Sequence, residues 1–109
     1  LKAAIAEFSL AIGKQADYVL AIVNRGNLYT LQKEYASAME DYNLAINYAP
    51  QSPQPYYNRA ILFSYMNDLI SAYKDYSTVI SLDPNYADAY VNRGNLYLRA
   101  RQFSLAIED

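Results

Sequence analysis

The hexapeptide NRGNLY stands at Asn24 to Tyr29 and again, letter for letter, at Asn92 to Tyr97, with an altered copy, NRAILF, at Asn58 to Phe63. Both intervals are 34 residues. A fixed period of that length restricts the fold strongly, because every unit must form the same small element and can bury its apolar face only against its neighbours. In this register the chain divides into a partial unit at 1–18, units at 19–52 and 53–86, and a shortened unit at 87–109. The first full unit and the shortened one agree at 11 of the 23 positions they share, far beyond what composition produces.

Within a unit the apolar residues fall at helical spacing in two stretches of about 14 residues, as in Tyr56, Ile61 and Phe63 followed by Leu69, Ala72, Tyr76 and Ile80. Each unit is therefore expected to be a pair of helices. Asp68 stands where a helix N-cap is wanted, Ser52 before Pro53 reads as a cap followed by proline at the first helical position, and Asp83-Pro84-Asn85 is a stop signal. Gly26, Ala60 and Gly94 are small where a second helix presenting Ala38, Ala72 and Ala106 must approach closely. The expected fold is all-α. A lone second-type helix from Leu1 to about Gly13 precedes the pairs, for about seven helices in all, the last cut short. The chain opens without methionine and ends inside a helical pattern, and reads as a fragment of a longer protein.

Composition narrows the function. At 53% hydrophobic residues over 109 positions the chain supports one globular domain, and a net charge of -2 gives no basic footprint for phosphates or anionic lipid. The absence of cysteine and histidine removes disulfides, thiol nucleophiles, the usual zinc ligands and the commonest general base. No catalytic constellation is legible, so the expectation is a non-enzyme without cofactor or metal. Apolar runs are far shorter than the roughly 20 residues that span a bilayer.

Further columns align at the same period: Ala4, Ala38, Ala72 and Ala106; Phe8, Tyr42 and Tyr76; Ala11, Ala45 and Val79; Pro50 and Pro84. This pattern resembles the tetratricopeptide repeat, carried in the second unit by Tyr56, Ala60, Phe63, Ala72, Tyr76, Val79 and Pro84 and begun in the third by Tyr90, Gly94, Tyr97 and Ala106. Ile22, Ala16 and Val79 are mild departures. The resemblance implies a right-handed superhelical stack of antiparallel helix pairs whose first helices line a concave groove for an extended peptide or partner helix. Some members of the family grip carboxylate-terminated tails with a lysine, arginine and asparagine clamp. Asn27 and Asn58 match its neutral columns, but Val23, Asp88 and Asn92 stand where it needs cations, so no such clamp is expected.

On a helical wheel Gln54, Tyr57, Asn58, Ile61, Ser64 and Tyr65 share the face opposite Arg59 and Phe63. Extended through the repeat, this face supplies the candidate groove residues Asn24, Asn27, Tyr57, Asn58, Ile61, Tyr65, Asn92, Asn95 and Arg99. A ladder of amides at Asn24, Asn58 and Asn92 offers both donor and acceptor to a peptide backbone, and aromatic residues anchor partners. The alternatives are that the asparagines satisfy local backbone and that Tyr57 and Tyr65 form a partly buried stripe between repeats. Tyr29, Tyr42, Tyr56, Tyr76, Tyr90 and Tyr97 occupy template columns and are assigned to the core.

Arg25, Arg59 and Arg93 recur where the family more often has leucine, turned away from the groove. A long cation in that place needs a counter-charge. An acid column, Glu7, Asp41, Asp75 and Asp109, supplies it, and the expected structural pairs are Arg25–Asp41, Arg59–Asp75 and Arg93–Asp109, with the preceding repeat's acid as the other option. The functional expectation is a scaffold for a protein or peptide partner, without nucleic-acid or direct membrane contact. Its rival is self-assembly, in which Leu1, Ile5 and Phe8 at one end meet Phe103 and Ile107 at the other in head-to-tail oligomers.

Overall fold

The computed structural model describes residues 18–108, with side chains through residue 101. Over that span the chain forms five helices and no strand: α1 (Tyr18–Leu31), α2 (Tyr35–Tyr48), α3 (Pro53–Tyr65), α4 (Leu69–Leu82) and α5 (Ala87–Glu108). Each helix packs on the one before it, and α1 also touches α3. The expected helix at Leu1 to about Gly13 lies outside the described residues, as do Leu1, Ile5 and Phe8. None of the described helices is long and apolar enough to cross a membrane.

The first two pairs close through the same turn. Lys33 and Asn67, one period apart, take left-handed backbone with φ of 61° and 63°. Glu34 N–H then donates to Tyr29 C=O and Asp68 N–H to Phe63 C=O, both at 2.9 Å, the six-residue bond of a Schellman ending. Asp68 goes on to cap α4, its Oδ1 accepting from Ser71 N–H at 3.2 Å. Ser52 holds the N-cap position of α3 without a side-chain capping bond, and Pro53 follows it at the first helical position. After α4 the chain stops at Asp83, whose Oδ1 accepts from Asn85 N–H at 3.1 Å.

The third unit does not turn. Arg101, one period after Asn67, continues an unbroken 22-residue helix, so among the described residues five helices stand where six of the expected seven would fall. The equivalent of Asn67-Asp68 here is Arg101-Gln102, without the aspartate that caps α4, although Lys33-Glu34 makes the same turn in the first unit with no side-chain capping bond.

The core repeats as the sequence does. One cluster gathers Ile22, Val23, Ala38, Tyr42, Ala45 and Leu62, and the other Ala60, Ala72, Tyr76, Val79, Ala89 and Leu96. Each holds a helix pair together with the first helix of the next unit, which is why no pair is self-sufficient. Leu62 and Leu96, absent from the sequence template, are buried, whereas Tyr90 and Tyr97, assigned to the core, stand 44% and 61% exposed. The unbroken α5 explains both exposures, since no second helix returns over them. It also leaves Gly94 with nothing within 4 Å of where a Cβ would sit, while at Gly26 that Cβ would lie 2.7 Å from Tyr42 Cε1 and 3.2 Å from Asp41 Cβ.

Candidate functional site

Two clefts adjoin along the first helices. A space of about 470 Å³ is lined by Asn27, Thr30, Leu31 and Lys33 of α1 and its turn, Tyr35 and Tyr42 of α2, and Asn58, Ile61 and Tyr65 of α3. The next, about 290 Å³, lies between α3 and α5 and is lined by Ile61, Ser64, Tyr65, Asn92, Asn95, Leu96 and Arg99, with Tyr76 at its floor. Ile61 and Tyr65 belong to both clefts and form the ridge that joins them. Of the residues singled out from sequence, Asn27, Asn58, Ile61, Tyr65, Asn92, Asn95 and Arg99 come together here. Asn24 and Tyr57 line neither space.

Val23, in a column where the clamp needs a cation, is 1% exposed and part of the core. Lys33 was missed because it lies in a turn that a helical wheel does not cover. Arg99 NH1 donates to Ser64 Oγ at 2.9 Å and its NH2 to Asn67 Oδ1 at 3.4 Å, fastening α5 to the end of α3.

Several amides are already engaged. Asn58 Nδ2 donates to Gln54 C=O of its own helix at 3.2 Å, and Asn92 Nδ2 donates to the Tyr57 hydroxyl at 3.0 Å. Asn27 Oδ1 accepts from the Tyr42 hydroxyl at 2.6 Å, and Thr30 Oγ1 lies 3.2 Å from that Tyr42 hydroxyl. Tyr57 packs at 5.0 Å and 5.9 Å, centroid to centroid, from Tyr86 and Tyr76. For Tyr57 the geometry is therefore that of a half-buried stripe between repeats, while Tyr65 stands 62% exposed. Among the described residues no group of three or more acids, histidines or cysteines is placed to hold a metal.

Burial perturbs the tyrosines on this face. Loss of solvent raises the Tyr42, Tyr57 and Tyr86 hydroxyls, and pushes Tyr76 up to about 12, the neighbouring Tyr57 adding to the effect. The folded state holds these protons more tightly than the unfolded chain, so their contribution is complete below pH 10 and lost between about 10 and 12. Thermal melts should therefore show a falling midpoint above pH 10, and phenolate absorbance should show a late-titrating class of tyrosines that merges with the rest on unfolding.

Behind the groove lie the arginines. Arg25 Nε donates to Asp41 Oδ2 at 2.8 Å and NH2 to Oδ1 at 2.6 Å, and Arg59 repeats the fork on Asp75 at 2.7 Å and 2.8 Å. Both acids are buried, at 3% and 5% exposure, and pairing raises the pKa of each arginine further. Arg59 also reaches backward, NH1 donating to Asn43 Oδ1 of the preceding unit at 2.8 Å. The sequence held this signal unread, because Ser9, Asn43 and Ser77 form a polar column 16 residues before each arginine. Arg93 bonds Ser77 Oγ at 3.3 Å and lies over the rings of Tyr73 and Tyr90 at 5.5 Å and 5.7 Å. Its expected partner Asp109 is outside the described residues.

Comparison with known proteins meets this geometry. The family model described as the TPR repeat matches residues 26–67 and 65–100. The chain belongs to the TPR repeat family. Solved TPR structures superimpose closely. The first TPR of Spaghetti (RPAP3) bound to the HSP90 peptide SRMEEVD is 24% identical, with a TM-score of 0.80 over 89% of this chain and 77% of that one. The first TPR domain of human RPAP3 gives 23% identity and 0.82 over 90% and 77%. A tetratricopeptide repeat protein from Parabacteroides merdae gives 20% and 0.79, covering 92% of this chain and 40% of that longer one. Among curated proteins there is no significant match.

Proposed function

We propose that this TPR chain is a protein-interaction scaffold whose two adjoining clefts receive an extended peptide or partner helix. The continuous ridge of Ile61 and Tyr65, flanked by amides from three successive repeats, carries the reading. An apolar, aromatic ridge supplies contact area, and the amide oxygens and nitrogens left unpaired around it, as on Asn95 and the Asn58 carbonyl, suit backbone groups. In this proposal the units at 19–52, 53–86 and 87–109, after the partial 1–18, follow one another as a right-handed superhelix with the groove on its inner side, and Arg25, Arg59 and Arg93 are structural.

The cations bounding the clefts are Lys33 and Arg99, at opposite ends, and Arg99 is engaged with Ser64. The ligand is therefore a mostly uncharged segment rather than an acidic tail. The HSP90 peptide that Spaghetti binds is a discriminating probe: SRMEEVD should bind this chain at least tenfold more weakly than an uncharged peptide selected by display on it. Affinity of the selected peptide should fall about tenfold or more in Tyr65→Ala, a loss of about 1.4 kcal/mol, and stay unchanged in Ile70→Ala on the opposite side. Equal binding to both variants would remove the groove from consideration.

A further inference from the structure

Tyr18 is the first residue of α1 and Tyr48 the last of α2. The two meet at the end of the helix pair opposite the turn at Lys33. The Tyr18 hydroxyl donates to the Tyr48 hydroxyl at 2.7 Å, and the rings pack edge to face with centroids 4.5 Å apart. The repeat does not call for this contact. One period later the same columns hold Ser52 and Leu82, and neither tyrosine stands in a column that carries the helix packing.

Stability does not account for it either. Tyr48 is exposed and the bond lies at the surface, where two hydroxyls trade water for each other at little net gain. The other close tyrosine rings are arranged differently: Tyr57 packs on Tyr76 and Tyr86 by ring contact, and its hydroxyl accepts from Asn92. Among the described residues, Tyr18 and Tyr48 are the tyrosines whose hydroxyls bond each other. What this pair has is a chemical opportunity. A phenol is oxidised at its hydroxyl, and the unpaired electron of the phenoxyl radical is shared with the ortho carbons beside the oxygen. Two hydroxyls in one hydrogen bond hold the ortho edges of both rings together, which replaces a chance encounter of two radicals by a step within one molecule.

We propose that Tyr18 and Tyr48 are an oxidative modification site, at which a one-electron oxidant such as peroxide-activated haem couples the two rings into a dityrosine that staples α1 to α2. Each phenol gives up one electron and its hydroxyl proton. The two radicals join in one carbon–carbon bond between ortho carbons, and the hydrogens on those carbons move to the oxygens, restoring both aromatic rings. The chain loses two hydrogen atoms in all, and one hydrogen peroxide takes up the two electrons and two protons to leave as two waters. In the product the hydroxyls remain neighbours, so the rings need only roll edge to edge. The new bond closes a loop that contains Asn27, Thr30, Lys33, Tyr35 and Tyr42, the α1 and α2 side of the larger cleft. A cross-link across such a loop restrains the unfolded chain and so protects this pair against fraying. The site stands or falls independently of the proposed peptide binding.

The test is to treat the folded 109-residue chain, dilute enough to suppress coupling between chains, with a haem peroxidase and hydrogen peroxide. The expected product is a single chain lighter by two hydrogens, with the long-wavelength fluorescence of dityrosine and a linked peptide pair that maps to Tyr18 and Tyr48. Its melting midpoint should exceed that of the untreated chain. Tyr18→Phe and Tyr48→Phe keep the rings but not the hydroxyls. Each should retain its helicity and lose intramolecular coupling by about tenfold or more. Links that map to Tyr57 with Tyr86, to other tyrosines or between chains overturn the assignment, as does an unchanged yield in either phenylalanine variant. So does a chain left uncoupled in a mixture where free tyrosine dimerises.

Discussion

Arg59→Ala should lower the unfolding free energy by about 3 kcal/mol or more, the largest loss expected from any single polar side chain described here. The reason is the partner left behind. Asp75, at 5% exposure, would be left without its partner in a site with little water, and stranding one member of a buried pair typically costs about 3–5 kcal/mol. The variant also loses the bond to Asn43 and the contacts of the guanidinium with the Tyr56 and Phe63 rings at 5.7 Å. Chemical denaturation of Arg59→Ala, Asp75→Ala and the double variant measures the pair directly. The double variant should be less damaged than the sum of the two single changes. Strict additivity would mean that the fork contributes nothing. Arg93→Ala, whose described polar contact is one bond of 3.3 Å to Ser77, should cost no more than about 1 kcal/mol.

Gly26→Ala should cost about 1–3 kcal/mol although alanine is the better helix former. The added methyl would sit 2.7 Å from Tyr42 Cε1 and 3.2 Å from Asp41 Cβ. Tyr42 cannot yield easily, because it is 2% exposed and its hydroxyl is bonded to Asn27. The same change at Gly94 meets open space and should instead stabilise by up to about 1 kcal/mol, the ordinary propensity difference. Melting the two variants side by side therefore tests whether the third unit lacks a covering helix. Equal destabilisation at both positions would show that something packs over Gly94 as α2 packs over Gly26.

The helix pairs were legible because the 34-residue period places small and aromatic residues in fixed columns, and Ala38, Tyr42, Ala72 and Tyr76 are indeed the core. The end of the third unit was not, since a column match at Ala106 says nothing about whether the preceding turn can form. That depends on whether one residue takes left-handed backbone, as Lys33 and Asn67 do and the helical Arg101 does not. On the groove face, Ile61, Tyr65 and Asn95 could be placed by wheel geometry alone. Tyr57 could not, because its surroundings come from Tyr76 and Asn92 on two other helices and from Tyr86 in the connection between them. Leu62 was overlooked because its neighbours, Ile61 of the groove face and Phe63 of the template, drew attention, yet it is Leu62 that joins the core between units.

The two-way reach of Arg59, forward to Asp75 and backward to Asn43, makes one guanidinium answerable to three helices in two successive units. In a linear array each unit could otherwise melt from an end while the next remained intact. A side chain bonded across the boundary penalises any partly melted state in which only one side of it survives, so stability is shifted from within units to the junctions between them. The outcome is cooperativity: a single steep denaturation transition, with a slope set by the surface of the whole array, that should broaden into overlapping steps when Asn43 is replaced by alanine.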